Sequence, residues 1–346
     1  MTKGKLFLLT CVVVFVFMLF LPCFGVASEQ LCVGKAGILI EATSGRVLYQ
    51  KNAYEKLPMA STTKIATALT VLNHADLDEV VTIDKMAVGI EGSSIYLREG
   101  EKLTVRELLY GLMLRSGNDS AVALALHVGG SVDCFVDLMN KMAKSVGAND
   151  THFVNPHGLH DENHYTTAYD LALITSSAMQ NQDFCKIVGS KSATISNDGY
   201  QYKRALTNKN KLLFNMDGAN GVKTGYTKKA GRCFVGSAYK DGMQLIAVVL
   251  NCSPMFENVQ SMLEFGFSRY TMTNIICKNK VCGVVLGKGK KPIYYLCEQG
   301  FSYPSSKDEV AMIDKQIELP ADENDCGSVV VRLAGEVIFT SKLNKY

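Results

Sequence analysis

Ser61 and Lys64 lie three residues apart in the stretch LPMASTTK, residues 57–64, just ahead of a helical pattern. On a helix, residues three apart share a face, so hydroxyl and amine come within reach of each other. A hydroxyl at such a place also caps free backbone N–H groups, so the pair taken alone reads equally well as a helix start. As chemistry, the pair is a nucleophile with its base. Serine attacks poorly at neutral pH unless a neighbour takes its proton. Lysine can be that neighbour only when burial or a nearby positive charge lowers its pKa.

Two further stretches carry matching chemistry. Ser116-Gly117-Asn118 sets a hydroxyl and an amide on a break between helical patterns, and Lys223-Thr224-Gly225 stands just before a hairpin. Lys223 could depress the pKa of Lys64 if the fold brings them close, and it could hold a substrate carboxylate. Gly225, without a side chain, lets a substrate lie against the strand edge. The backbone N–H groups of Ser61 and Tyr226 are then candidates for an oxyanion hole. Each motif alone is weak; the three together, in this order, favour an S-x-x-K, S-x-N, K-T-G set.

The elements that must position these residues are legible in outline. Gly37–Ala42 and Arg46–Tyr49 read as strands joined by Thr43-Ser44-Gly45. A helix follows Ser61, with Ile65, Leu69 and Leu72 on one stripe. Thr104-x-x-Glu107 is a capping box ahead of Leu108, Leu109, Leu112 and Met113. Ser116-Gly117-Asn118 interrupts that pattern, and Ala121–Val128 resumes it. A third helix carries Phe135 to Val146 and stops at Gly147, and another starts near Thr167-x-x-Asp170. Cys233–Tyr239 and Met243–Leu250 flank Asp241-Gly242, a strong hairpin signal, and a helix follows near Asn258–Phe265. Beyond about residue 274 only strand-like runs are expected: Val281–Leu286, Ile293–Leu296, Glu309–Ile313, Val329–Leu333 and Val337–Thr340.

The fold class expected is therefore mixed α/β (α+β), an antiparallel sheet with a helical cluster, followed by a small all-β domain. The expected division is a leader over 1–27, a catalytic domain over 28–274 and a β-rich domain over 275–346. The chain has 346 residues, 47% of them hydrophobic, with a net charge of +3, too mild to argue for nucleic acid. Two lysines in Met1–Lys5, an apolar run over Leu6–Leu21 and the small residues Gly25-Val26-Ala27 have the layout of a secretory signal. Membrane association is expected only through that segment, if it stays uncleaved. Of eleven cysteines, Cys11 and Cys23 fall in the leader, and the odd remainder favours a disulfide-poor exported protein. No C-x-x-C pair occurs, which leaves no support for a zinc or dithiol site.

On these residues the sequence resembles the D-alanyl-D-alanine carboxypeptidases of the low-molecular-weight penicillin-binding proteins, serine peptidase family S11. The resemblance extends through LPMASTTKIATALTVL, GLMLRSGNDSAVALALHVGGS, FVDLMNKMAKSVGANDTHFVNPHGL, HYTTAYDLA and GVKTGYTKKAGRCFVGSA, about residues 35–270. ELPADENDCGSVVVRLAGEVIFTSKL is similar to the end of the β-rich domain that follows catalysis in that family. The resemblance implies a β-lactamase/transpeptidase-like domain and an exported enzyme of the cell wall. It implies removal of the terminal D-alanine from peptidoglycan pentapeptides, covalent inhibition by β-lactams, and no cofactor or metal. By the same resemblance Ser61 is the nucleophile and Lys64 its base. Ser116 and Asn118 assist proton transfer and hold the substrate backbone, and Lys223 and Thr224 bind the terminal carboxylate.

Two departures stand out. Several relatives carry an arginine just after the second hairpin strand, where it helps hold the carboxylate; here that region reads Asn251-Cys252-Ser253-Pro254, and Arg232, near it in sequence, receives no role. Many relatives end in an amphipathic membrane-binding helix, whereas Lys342–Tyr346 reads as strand, so that anchor is expected to be absent. A class A β-lactamase would need an E-x-x-L-N stretch for its deacylating water, and residues 150–166 offer none. A metal peptidase would draw on His152, His157, His160 and His164, but no H-E-x-x-H is present. A non-catalytic penicillin- or wall-binding protein would keep the fold and lose the chemistry, yet every motif residue is in place.

Overall fold

The first strand is buried at every residue and the second only in part, as suits an inner strand with an edge strand beside it. In the computed structural model, which describes residues 30–196, 203–287, 290–320 and 325–346, strands β1 (Ala36–Glu41) and β2 (Val47–Lys51) form a hairpin. The leader expected over 1–27 lies outside the described residues. Helix α1 (Lys64–Leu72) follows a 3₁₀ turn, Ala60–Thr63, and is buried over nearly its whole length. A helix buried on every side belongs in the middle of a core, and this one carries Lys64 at its first turn.

Short strands β3 (Val80–Thr82) and β4 (Lys102–Thr104) pair ahead of α2 (Val105–Leu114), whose start has the expected Thr104/Glu107 capping box. Helix α3 (Asn118–Gly129) begins after a three-residue break, and α4 (Val132–Ser145) is capped by Ser131. Thr167 caps α5 (Ala168–Met179), and α6 (Gln182–Gly189) follows. The hairpin of β5 (Ser192–Ile195) and β6 (Arg204–Thr207) leads to the short α7 (Leu212–Asn215). Then come β7 (Ala219–Thr227), β8 (Gly231–Lys240), β9 (Met243–Leu250) and α8 (Met255–Arg269).

These strands form one antiparallel sheet in the order β2-β1-β9-β8-β7. Asp241 and Gly242 turn β8 into β9 with φ of 50° and 79°, the positive values that an Asp-Gly hairpin turn uses. The period of two sorts the sheet's residues between its faces. Ile38, Ile40, Val235, Ile246 and Val248 join the core of the helical cluster. Phe234, Gly236, Leu245 and Leu39 face α8, whose Phe256, Val259 and Gly266 meet them.

The remaining strands are β10 (Thr271–Ile276), β11 (Val281–Leu286), β12 (Pro292–Leu296), β13 (Phe301–Ser305), β14 (Ile313–Glu318), β15 (Gly327–Leu333) and β16 (Glu336–Lys345). β10 pairs with β13, and a five-stranded sheet runs β11-β12-β16-β15-β14. Tyr295, Val329, Val331 and Leu343 are at the centre of their small core. One expected strand is corrected. Residues 309–313 do not run extended, because Ser306 and Glu309 form a capping box that starts the short helix α9 (Lys307–Val310), and the strand begins only at Ile313. Among the described residues no single helix is long and apolar enough to cross a membrane.

Candidate active site

The 3₁₀ turn holds Ser61 at the mouth of a cleft of about 420 Å³, whose walls include Ser116, Lys209, Thr224, Tyr226 and Arg232. Ala60, just before the serine, has a φ of 49°, and Ser116 a φ of 65°. Both are left-handed conformations that side-chain-bearing residues seldom adopt, and such strain gathers at functional sites. The turn is braced from below by His164. The Val154 N–H donates to His164 Nδ1 at 3.1 Å, so Nε2 carries the proton and donates to Thr63 Oγ1 at 2.8 Å. Thr63 in turn donates to the Ala60 carbonyl at 2.8 Å. Burial lowers the His164 pKa to about 3, which keeps this ring neutral.

Lys64 is fully buried behind Ser61. Its Nζ lies 3.1 Å from Ser61 Oγ, 2.6 Å from Asn118 Oδ1 and 2.6 Å from the His157 carbonyl oxygen. The last two atoms can only accept. A neutral amine has two protons for them and one lone pair left over, and the remaining neighbour is the Ser61 hydroxyl. Burial above all, and then the charges of Lys223 and Lys209, push the Lys64 pKa well below the usual lysine range, against a smaller opposing pull from Asp119. The amine is thereby disposed to be neutral and to accept a proton.

The break between α2 and α3 delivers Ser116 and Asn118. Asn118 also donates through Nδ2 to the Glu91 carbonyl, and its backbone N–H donates to the Ser93 carbonyl at 2.7 Å. Asp119 gathers the same loop, accepting from Ser94 Oγ and from the N–H groups of Ile95 and Leu97. Strand β7 closes the other side. A Cβ on Gly225 would stand 3.0 Å from Ser61 N and 3.1 Å from Met59 O, so only glycine lets the strand lie this close to the turn. That approach sets the Ser61 and Tyr226 amides on facing elements at the cleft. Lys223 is fully buried, donates to the Thr224 carbonyl at 3.0 Å, and has its pKa lowered to about 7 by burial and by Lys209.

Ser61, Lys64, Ser116, Asn118, Lys223, Thr224, Gly225 and Tyr226 are thus brought together. Sequence reasoning passed over four contributors. Lys209 donates to Ser93 Oγ at 2.9 Å and acts electrostatically on both buried lysines. Ser93 receives that bond, the His157 carbonyl orients Lys64, and Arg232 lines the cleft. The histidine-rich loop carried a signal: Asn155 binds the N–H groups of His157 and Gly158, a turn that Asn and Gly commonly announce.

Known proteins resemble the chain over most of its length. The family model of the D-alanyl-D-alanine carboxypeptidases, peptidase S11, matches residues 26–254. D-alanyl-D-alanine carboxypeptidase DacF of Bacillus subtilis is 37% identical over 333 residues, spanning 91% of this chain and 85% of that protein. Among solved structures, penicillin binding protein 5 of Haemophilus influenzae superposes with a TM-score of 0.77 at 27% identity, covering 91% of this chain and 96% of that one. A variant of the Streptomyces K15 DD-transpeptidase, 36% identical with a TM-score of 0.65, covers 68% of this chain and 98% of its own.

Proposed function

Because the chain belongs to the D-alanyl-D-alanine carboxypeptidase family, peptidase S11, and is a serine D-Ala-D-Ala carboxypeptidase of peptidoglycan, we propose that its reaction runs through an acyl-enzyme on Ser61. The family binds D-Ala-D-Ala peptides and penicillins. For this chain the proposed substrate is the peptidoglycan pentapeptide, and β-lactams are covalent inhibitors.

Lys64 takes the Ser61 proton as Oγ attacks the carbonyl carbon of the penultimate D-alanine. The N–H groups of Ser61 and Tyr226 hold the oxyanion that forms, a contribution commonly of about 10²–10³ in rate per donor. Ser61 stands ahead of α1, where the helix's partial positive charge also favours an anion. As the peptide bond breaks, the proton passes from Lys64, with Ser116 as relay, to the nitrogen of the departing D-alanine. Water then enters on the vacated side and attacks the ester; Lys64 takes its proton and returns it to Ser61 Oγ as the carboxylic acid departs, which restores the free enzyme. In a penicillin the opened ring stays attached and blocks that side, so the ester persists.

The observation that carries this reading is the Lys64 nitrogen, with two short bonds to pure acceptors and one neighbour left to deprotonate. We further propose an exported enzyme, with 1–27 as its leader, 28–274 as its catalytic part and 275–346 positioning that part against the wall. The test is release of D-alanine from a soluble pentapeptide ending in D-Ala-D-Ala. The native chain should release it and Ser61→Ala should not; equal release by both would refute the assignment.

A further inference from the structure

Beside the cleft lies a second cavity, of about 480 Å³, and the two share a partition. Three runs of chain build that partition, and each gives one residue to either side. Ser93, Ser116 and Lys209 face the cleft, while Ser94, Arg115 and Thr207 face the second cavity. The runs are tied to one another. Lys209 Nζ donates to Ser93 Oγ at 2.9 Å, and its backbone N–H donates to the Leu114 carbonyl at 3.2 Å. A chain leaving the cleft over Ser93 and Ser116 therefore meets this cavity next.

The cavity is cationic. Arg98, Arg115 and Arg204 line it, and no acid does among the described residues. Glu101 accepts from Arg204 Nη2 at 2.9 Å and stands 3.9 Å from Arg98, so one carboxylate serves two guanidinium groups. Asp119 is buried and spends its oxygens on Ser94 Oγ and the N–H groups of Ile95 and Leu97. Arg115 makes no ion pair among the described residues. It acts instead on Lys209, whose pKa is lowered by burial and then by the Arg115 charge. Two cations that repel each other, with no acidic partner for either, leave the partition short of an anion. A guanidinium also offers the forked pair of donors that a carboxylate accepts.

The departing D-alanine is taken up against β7. The stem, on the acyl side of the scissile bond, then leaves past the facing wall, which Ser93 and Ser116 form. In a wall pentapeptide the γ-linked glutamate of that stem carries a free α-carboxylate. We propose that the arginine cavity, through Arg115, binds this stem carboxylate, so that the enzyme prefers an acidic stem to an amidated one. This rests on the Ser61 reading of the cleft.

The test compares two lysine-containing pentapeptides ending in D-Ala-D-Ala, alike except that the γ-linked glutamate carries a free α-carboxylate in one and a primary amide in the other. On the native chain, kcat/KM for D-alanine release from the acid should exceed that from the amide about tenfold, the worth of one charge-assisted contact. In Arg115→Gln that ratio should fall to about two or less, and Arg115→Lys should keep part of it. Lys141→Gln, which removes an exposed charge on α4 outside both cavities, should keep the native ratio. A native ratio near one, an undiminished ratio in Arg115→Gln, or an equal fall in Lys141→Gln would overturn the proposal. If Arg115→Gln fails to melt cooperatively, Arg98→Gln decides: a lowered ratio supports the proposal and a native one refutes it. Release that survives Ser61→Ala would strike at the underlying reading instead, and the acid-to-amide ratio would still judge Arg115.

Discussion

Lys64 and Lys223 are two buried amines in one site with different work. Lys64 must lose its proton to act, and Lys223, with its pKa near 7, loses charge as pH rises through neutrality. Lys209 depresses both buried lysines. Removing its charge stabilises their protonated forms and raises both pKa values. In Lys209→Gln the acid limb of the pH profile for penicillin acylation, which follows deprotonation of Lys64, should therefore move to higher pH. A shift to lower pH, or none, would contradict that electrostatic role. Neither Lys209 nor the His157 carbonyl was legible beforehand. Each reaches Lys64 from a distant part of the chain, and a carbonyl has no residue type to betray it. Ser61, Lys64, Ser116, Asn118 and the Lys223-Thr224-Gly225 run were legible because each group's spacing is local.

At the scale of elements, the site is a meeting of the 3₁₀ turn with β7, the α2–α3 break and two loops. The tightest meeting is at Gly225. Its replacement by alanine would put a methyl 3.0 Å from Ser61 N, 3.1 Å from Met59 O and 3.1 Å from Thr62 N, all backbone atoms with little room to yield. The strand must then back away and the oxyanion donors part. Gly225→Ala should slow acylation by about 10²-fold, the usual consequence of a displacement near 1 Å, while the protein still melts cooperatively. Acylation at the native rate would show that the approach of β7 is not needed. The elements themselves were largely readable, since periodicity and caps mark α2, α5 and the β8–β9 hairpin. The short helix α9 was misread as strand because the apolar run Val310–Ile313, too short to show a period, hid the Ser306/Glu309 capping box. Strands β10 and β13 were missed because their short runs depend on pairing with each other across the sequence.

For the whole molecule, Arg46, beside β2, reaches into the C-terminal β-rich part. It pairs with Glu309, donates to the Pro304 carbonyl and lies 5.2 Å and 5.0 Å from the ring centroids of Tyr270 and Tyr303. Both partners are mostly shielded, with side-chain exposures of 14% and 25%. The hydrogen bond to Arg46 is the largest cause holding the Glu309 pKa below its ordinary value. A carboxylate so lowered adds stability above the usual glutamate range and loses it as pH falls through the folded-state value. Glu309→Gln should therefore cost about 1–2 kcal/mol at neutral pH, with the gap to the native chain closing in acid. A gap that widens on acidification would contradict this account. Whether Ser61 is the nucleophile is decided by the mass of the intact chain after reaction with benzylpenicillin. One adduct of the drug's full mass is expected, on the peptide containing Ser61, and absent from Ser61→Ala. An adduct on another residue, or labelling that survives Ser61→Ala, would contradict it.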